Sequence, residues 1–493
     1  MKNGQERPVV SMRRQPPTLT SADSLESTGG KTTGVAEPRG QSYAATTDTP
    51  CPEKPDRDLS VASADGIADQ QELMKLMVDP DNMQRAWEQV RRNQGSPGVD
   101  GMTIDEFPDW IQLQWPAISQ QLLDGTYRPQ PVRRVAIDKP DGGQRLLGIP
   151  NVVDRVIQQA ITRVLTPIFD PEFSESSFGF RPNRSAHGAI KQAQSFIRSG
   201  KRYVVDVDLS KFFDRVQHDI LMSRVARKVR DKVLLKLIGR YLRAGVMIGG
   251  IHHRTPEGTP QGGPLSPLLS NILLDDLDKE LERRQLPFAR YADDFVIFVS
   301  NYRAACKVMA SVPRYVTGKL KLQVNERKSA VRRADETEFL GFAFRTRKAN
   351  LNVTSRNMVK LKQCIREITA RNRGVSFERM VGELSRYLRG WMGYFALDCR
   401  KQIWSSLDGW IRRRVRMYLW KQWRLPRTRI RGLKRLGVDD FLSRTHGASR
   451  KGYWRLSKTL GGHIGMTKQW LRDQGLVFLR YLWGDLARLR RTA

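Results

Sequence analysis

Phe288-Ala289-Arg290-Tyr291-Ala292-Asp293-Asp294-Phe295-Val296-Ile297-Phe298-Val299 sets two adjacent carboxylates between two apolar runs. The pattern predicts strand, tight turn and strand, with Tyr291 to Asp294 at the bend. Acids side by side in such a turn repel one another and desolvate at a cost unless a cation neutralises them. Two divalent ions ~3.5–4 Å apart would do so, and would clamp the attacking and leaving oxygens of a phosphoryl transfer. Asp-Asp is also an ordinary turn dipeptide, and a solvated β-turn accounts for the four residues alone equally well.

A third carboxylate comes from upstream. Tyr203 to Leu209 alternates as a strand, Val204-Val205-Asp206-Val207-Asp208, so Asp206 and Asp208 share one sheet face. Two acids on an otherwise apolar strand make a poor core and a plausible metal site. Hard oxygen ligands and phosphate substrates favour Mg²⁺. Spacing alone does not choose between Asp206 and Asp208.

Working outward, residues 1–66 are rich in Ser, Thr, Pro, Gly and Ala, and are expected to be disordered. Helical spacing follows over Gln70 to Val90, broken at Pro80, and again over Asp154 to Phe169. Between these helical stretches, Val132 to Ile137 and Arg145 to Ile149 are expected as a hairpin around Asp138 to Gln144. Gln217 to Gly239 is expected as one helix, Leu265 to Leu281 as another, and Phe339 to Phe344 as a short strand pair. Arg356 to Arg424 is expected to be almost wholly helical. His218 is expected as a structural histidine at a helix start and Asp214 as a capping residue. The order implies an α+β core followed by a basic α-helical domain.

The motifs now carry a specific resemblance. Asp208-Leu209-Ser210-Lys211-Phe212-Phe213-Asp214 resembles the first palm motif of reverse transcriptases. Gly258-Thr259-Pro260-Gln261-Gly262-Gly263-Pro264-Leu265-Ser266-Pro267 resembles the second, and Tyr291 to Asp294 the third. Leu322 to Lys328 and Phe339 to Phe342 are similar to the fourth and fifth. Lys139 to Gly143, Phe178 to Pro182 and Leu388 to Phe395 resemble the bacterial group II intron-encoded branch, the maturases. The match runs in order over roughly residues 70 to 485.

The resemblance implies a right-hand polymerase of fingers and palm followed by an α-helical thumb, or maturase domain X. Its divisions are 67–200 for an N-terminal extension and fingers, 201–350 for the palm and 351–425 for the thumb. Residues 426–493 would continue domain X, with possible DNA contact and no HNH endonuclease. It implies that Asp208 and Asp293 hold two Mg²⁺ ions, that Asp294 completes the acidic pocket, and that the Leu209 carbonyl is a further ligand. Phe213 falls where the family screens the sugar 2′ position, and Gln261 where it contacts template or base pair. Lys139 and Arg145 would grip the triphosphate, and Lys328 would neutralise or protonate pyrophosphate. The implied partners are group II intron RNA, an RNA template, a DNA primer or target, and dNTPs. Two rivals keep part of this reading: a domesticated defence-type reverse transcriptase, and a non-catalytic RNA-binding splicing factor.

Composition agrees with a polyanionic partner. Lys and Arg number 85 against 51 Asp and Glu, a net charge of +34. From Ser355 onward there are 33 basic and 9 acidic residues, so 24 of the 34 surplus charges lie there, with eight of the eleven tryptophans. In that region Leu384, Tyr387, Leu388, Trp391, Tyr394 and Phe395 fall on one helical face, as do Trp404, Leu407, Ile411 and Val415. The stripe is expected as core, and the adjacent Arg412, Arg413, Arg414 and Arg416 as RNA contacts. No membrane span is expected, because no stretch approaches ~20 apolar residues. The four cysteines lie far apart, which fits a reducing bacterial cytoplasm and a nucleoid- or RNA-associated protein.

Overall fold

The computed structural model describes residues 72–138, 144–248, 250–345 and 348–492. The expected disordered segment, 1–66, and Lys139 both lie outside the described residues.

The chain begins with α1 (Leu73–Val78) and α2 (Pro80–Arg92). Pro80 takes the first helical position, where a missing N–H leaves nothing unsatisfied, and Asp79 accepts from the amides of Asp81 and Asn82. After α3 (Phe107–Leu123), the expected hairpin forms from β1 (Val132–Asp138) and β2 (Gln144–Ile149). The helices α4 (Val152–Phe169) and α5 (Ala186–Arg198) complete this part, and α4 packs on α1 and α2.

The middle of the chain supplies β3 (Tyr203–Val207), α6 (His218–Val225), α7 (Lys232–Arg243), β4 (Val246–Ile248) and β5 (Ile251–His253). It continues with α8 (Ser266–Arg283), β6 (Phe288–Tyr291), β7 (Asp294–Val299), α9 (Tyr302–Tyr315) and β8 (Ala330–Arg333). Strands order as β6-β7-β3-β8, all antiparallel, while β4 and β5 extend the first hairpin into a β2-β1-β4-β5 sheet.

The single helix expected over Gln217 to Gly239 is two. Asp231 breaks it, because its Oδ1 accepts from the amides of Val233 and Leu234 to start α7, while its Oδ2 accepts from the Met74 amide of α1. Satisfying three backbone donors at a helix start outweighs continuing the helix. Asp214 is likewise no helix cap: it ends a 3₁₀ turn, is exposed, and α6 starts from Gln217 instead. His218 is structural as expected, buried at the first position of α6 with Nε2 2.7 Å from the Gly258 carbonyl.

Strand alternation loads the β3–β7 pair on both faces. Val205, Val207, Phe295 and Ile297 enter the core built from α4, α7 and α8. Val204, Val296 and Phe298 enter a second core that continues into the C-terminal helices.

That second core is framed by β9 (Glu338–Phe339), β10 (Phe342–Arg345) and β11 (Asn350–Val353), then α10 (Ser355–Ile368), α11 (Phe377–Phe395) and α12 (Lys401–Gln422). It is closed by α13 (Pro426–Arg435), α14 (Asp440–Gly447), α15 (Tyr453–Leu456), α16 (Leu460–Gly465), α17 (Lys468–Asp473) and α18 (Leu479–Thr492). The stripe packs as core: Leu384, Leu388, Trp404, Ile411 and Val415 are buried, and Tyr387, Trp391, Tyr394 and Phe395 lie half-buried against that cluster. Asp408 of α12 accepts from the amides of Leu479 and Arg480, placing a carboxylate at the positive end of α18.

The α12 arginines also have partners within the domain. Arg416 is buried and donates twice to the Met466 carbonyl, and Arg414 donates to Thr369 Oγ1 and the Arg366 carbonyl. Arg413 donates to the Trp454 carbonyl and lies 3.7 Å from the centre of the Trp454 ring, while Arg412 faces Phe478. These guanidiniums tie α12 to its neighbours, Arg414 to α10 and the others to the segments around α15 to α18, while Arg412, Arg413 and Arg414 stay half-exposed. Among the described residues no helix is long and apolar enough to cross a membrane.

Candidate active site

The last β3–β7 pair is Val207 with Phe295. Asp208 follows β3 directly and Asp294 opens β7, so one further step along that register would set them opposite each other. The other side of Asp208 is clasped by the segment before β8. Ser329 Oγ accepts from the Asp208 amide at 3.0 Å, the Asn325 amide donates to the Asp208 carbonyl at 2.8 Å, and the Ser210 amide donates to Gln323. Leu209 forms an isolated bridge with Val324 flanked by those bonds, so the Leu209 carbonyl points away from it, toward the β7 side.

The Ala292-Asp293 loop joins β6 to β7 with two residues, and Tyr291 pairs with Asp294. Ala292 has φ 59° while Asp293 is not left-handed, the pattern of a type II′ turn. Glycine is the usual residue there, and alanine costs about 1–3 kcal/mol that neighbouring contacts must offset. Two contacts do so. Arg290 Nη1 donates to the Ala292 carbonyl at 3.0 Å, and Gly179 packs so tightly behind the turn that a Cβ on it would stand 2.2 Å from the Ala292 nitrogen.

The acids sense one another. Burial pushes the Asp294 carboxyl up to about 7, helped by the negative charges of Asp206, Asp293 and Asp208. Asp294 is nonetheless open to solvent. Asp293 is raised mainly by burial and further by Asp208, against the opposing pull of Arg145 and Arg290. Asp206 is raised by burial too, but its carboxylate is held by Arg332 of β8. Three carboxylates that hold protons against their ordinary preference, with Asp208 beside them, form a site short of positive charge. Their hard oxygens suit divalent ions such as Mg²⁺. As the side chains stand, no three His, Cys, Asp or Glu residues among those described converge at metal-ligand geometry.

Phe213 and Gln261 line one cleft together with Gly148, Leu146 and Arg134. The Gln261 carbonyl accepts from the Gly148 amide at 2.8 Å, and Gly262, with φ 128°, would bring a Cβ within 2.8 Å of the Gly148 carbonyl oxygen. Backbone therefore meets backbone between this loop and β2. Arg145, opposite Ile137 in the hairpin, is exposed and close enough to pull on Asp293. Lys328 is exposed on the turn that clasps Asp208.

Sequence reasoning missed Arg290, which was counted within an apolar run. It is fully buried and paired with Asp278 and Asn271 of α8. A charged residue inside a strand of Phe288, Ala289 and Tyr291 was the available signal. Its partners, seven apart on one helix face, could not be matched to it without the fold.

A family profile described as reverse transcriptase (RNA-dependent DNA polymerase) matches residues 137–344, and one described as group II intron, maturase-specific domain, matches residues 358–437. Protein YkfC of Escherichia coli K12 is 32% identical over 314 residues, which is 56% of this chain and 81% of that protein. The group II intron-encoded protein LtrA of Lactococcus lactis subsp. cremoris is 30% identical over 343 residues, 56% of this chain and 57% of LtrA. The chain thus spans little more than half the length of LtrA. Among solved structures, a chain of a partial Cas6-RT-Cas1–Cas2 complex is 26% identical over 50% of this chain and 42% of its own, with TM-score 0.33. Telomerase from Candida albicans is 13% identical over 64% of this chain and 63% of its own, with TM-score 0.36. At those scores neither structure adds to the family matches.

Proposed function

The chain belongs to the group II intron-encoded reverse transcriptases, RNA-directed DNA polymerases with a maturase-specific domain, and on that premise we propose how its residues divide the work. Asp208 and Asp293 hold two Mg²⁺ ions, joined by the Leu209 carbonyl, and Asp294 completes the acidic pocket. The ions supply charge neutralisation on the attacking and leaving oxygens of nucleotidyl transfer. Arg145, with Lys139, grips the triphosphate of an incoming dNTP. Phe213 closes the space a 2′-hydroxyl would need, and Gln261 meets the template or the nascent base pair. Lys328, on the turn behind Asp208, neutralises the departing pyrophosphate. The observation that carries this reading is the β3–β7 register, which runs toward Asp208 and Asp294 together, with burial and the charges of Asp206, Asp293 and Asp208 raising the Asp294 carboxyl.

Residues 67–200 serve as N-terminal extension and fingers, 201–350 as palm, 351–425 as thumb and domain X, and 426–493 as its continuation. The helical domain binds group II intron RNA and assists splicing and mobility. A cavity of about 570 Å³ between α10 and α12 supports this, lined by Lys362, Arg366, Arg400 and Trp410 with no acidic side chain among its walls.

Primer extension on an RNA template with a DNA primer, dNTPs and Mg²⁺ tests the chemistry. Wild type makes cDNA, and Asp293→Ala with Asp294→Ala makes none. Equal product from both would sink the assignment.

A further inference from the structure

Arg290 has no direct part in the chemistry above, yet it is the most completely engaged side chain near the turn. It is fully buried. Its Nε donates to both Asp278 oxygens at 2.8 and 3.0 Å, and Nη2 also binds Asp278. Nη1 is shared between Asn271 Oδ1 at 2.9 Å and the Ala292 carbonyl at 3.0 Å. That carbonyl belongs to the peptide joining Ala292 to Asp293. Asn271 in turn donates through Nδ2 to the Gly179 carbonyl at 2.8 Å, and Gly179 lies against the Ala292 nitrogen. Two residues on one face of α8 therefore hold both the peptide before Asp293 and the backbone behind it.

A buried ion pair is a poor device for stability, because apolar residues of similar volume do as well or better. Its distinctive yield is geometry, since a planar guanidinium fixes several acceptors at once. We infer that Arg290, through Asn271 and Asp278, is a positioning residue that orients the Ala292–Asp293 peptide and so sets where the Asp293 carboxylate is presented to metal and substrate. The inference rests on the polymerase reading of this site.

Arg290→Lys keeps the charge and the Asp278 pairing but cannot span Asn271 and the Ala292 carbonyl as well. Asn271→Ala leaves the Arg290–Asp278 pair intact. In the full chain, both variants are measured by thermal melting, by Mn²⁺ binding with electron paramagnetic resonance in the absence of nucleic acid, and by primer extension across dNTP concentrations. The expected result is a kcat at least about tenfold lower with KM for dNTP within about threefold, as misplacement of a reacting group by ~1 Å produces. Mn²⁺ affinity falls alongside kcat, while the melting transition stays cooperative. A folded variant with wild-type kcat and wild-type Mn²⁺ affinity overturns the inference. Should Arg290→Lys not fold, Asn271→Ala decides alone by the same criteria. Should wild type make no cDNA, the polymerase reading fails. The clamp is then judged on Mn²⁺ affinity: weakened by Asn271→Ala it stands, unchanged it falls.

Discussion

Gly179→Ala is a one-methyl change, and it should cost this protein most of its turnover. Gly179 does not have positive φ, so alanine is allowed by its backbone and the cost is purely steric. The added Cβ would meet the Ala292 nitrogen at 2.2 Å, the Tyr291 carbonyl carbon at 2.9 Å and the Ala292 Cα at 3.1 Å. All three are backbone atoms, so no flexible side chain can swing aside. Ordinary contact begins near 3.4 Å, which asks for roughly 1.2 Å of separation. The turn is held by Arg290 from one side, and Gly179 by Asn271 from the other. The acidic loop must therefore absorb much of the movement. Overpacking of this kind costs about 1–3 kcal/mol of stability. Displacing catalytic groups by about 1 Å costs about 100-fold in rate. Steady-state primer extension at saturating dNTP, run beside a thermal melt, separates the two effects. Gly390→Ala, inside α11 with nothing within 4 Å, serves as the control. It should stabilise by up to ~1 kcal/mol and leave kcat alone. A folded Gly179→Ala protein with kcat within threefold of wild type would refute the reasoning.

Phe213→Ala should admit ribonucleotides, narrowing the dNTP over rNTP preference by about 1–3 kcal/mol, or ~10–200-fold, in competitive incorporation; an unchanged ratio would return Phe213 to plain packing. Burial raises the Asp154 carboxyl to about 6 despite hydrogen bonds from Tyr127 and Tyr241, so the folded state holds a proton that the unfolded state releases near pH 4. Stability from this group is therefore full below that window and falls by about 3 kcal/mol as pH rises through it. Asp154→Asn should flatten the slope in denaturant titrations between pH 4 and 7, and a parallel slope would exclude the group. Lys362→Glu with Arg366→Glu should weaken binding of a structured group II intron RNA and lower the salt slope by about 1 per side chain removed. An unaltered salt dependence would take the α10–α12 cavity out of the interface.

The acidic turn and the Asp208 strand were legible because alternation makes a charge conspicuous on an apolar strand, and β3 and β7 are paired neighbours in one sheet. The split at Asp231 was not, because its decisive partner is Met74, 157 residues away. Nor was Arg290, whose value lies in acceptors on α8 and in the turn itself. The partners of the α12 arginines within the domain were not legible either, because helical spacing reports one helix's own faces and says nothing of the neighbours that Arg413, Arg414 and Arg416 bond.

The two-sided loading of the palm sheet bears on how such proteins could be recombined. A chimera cut near residue 350 would seem to exchange a helical module at a natural seam. Yet Val204, Val296 and Phe298 share one hydrophobic cluster with Leu361, Met380 and Trp404, so the cut runs through a core. The donor's helices would arrive shaped for another protein's strands. Those strands also carry the acids, so a poorly matched graft would disturb the catalytic floor from behind without altering one residue of it. The unit of exchange is the sheet together with its helices.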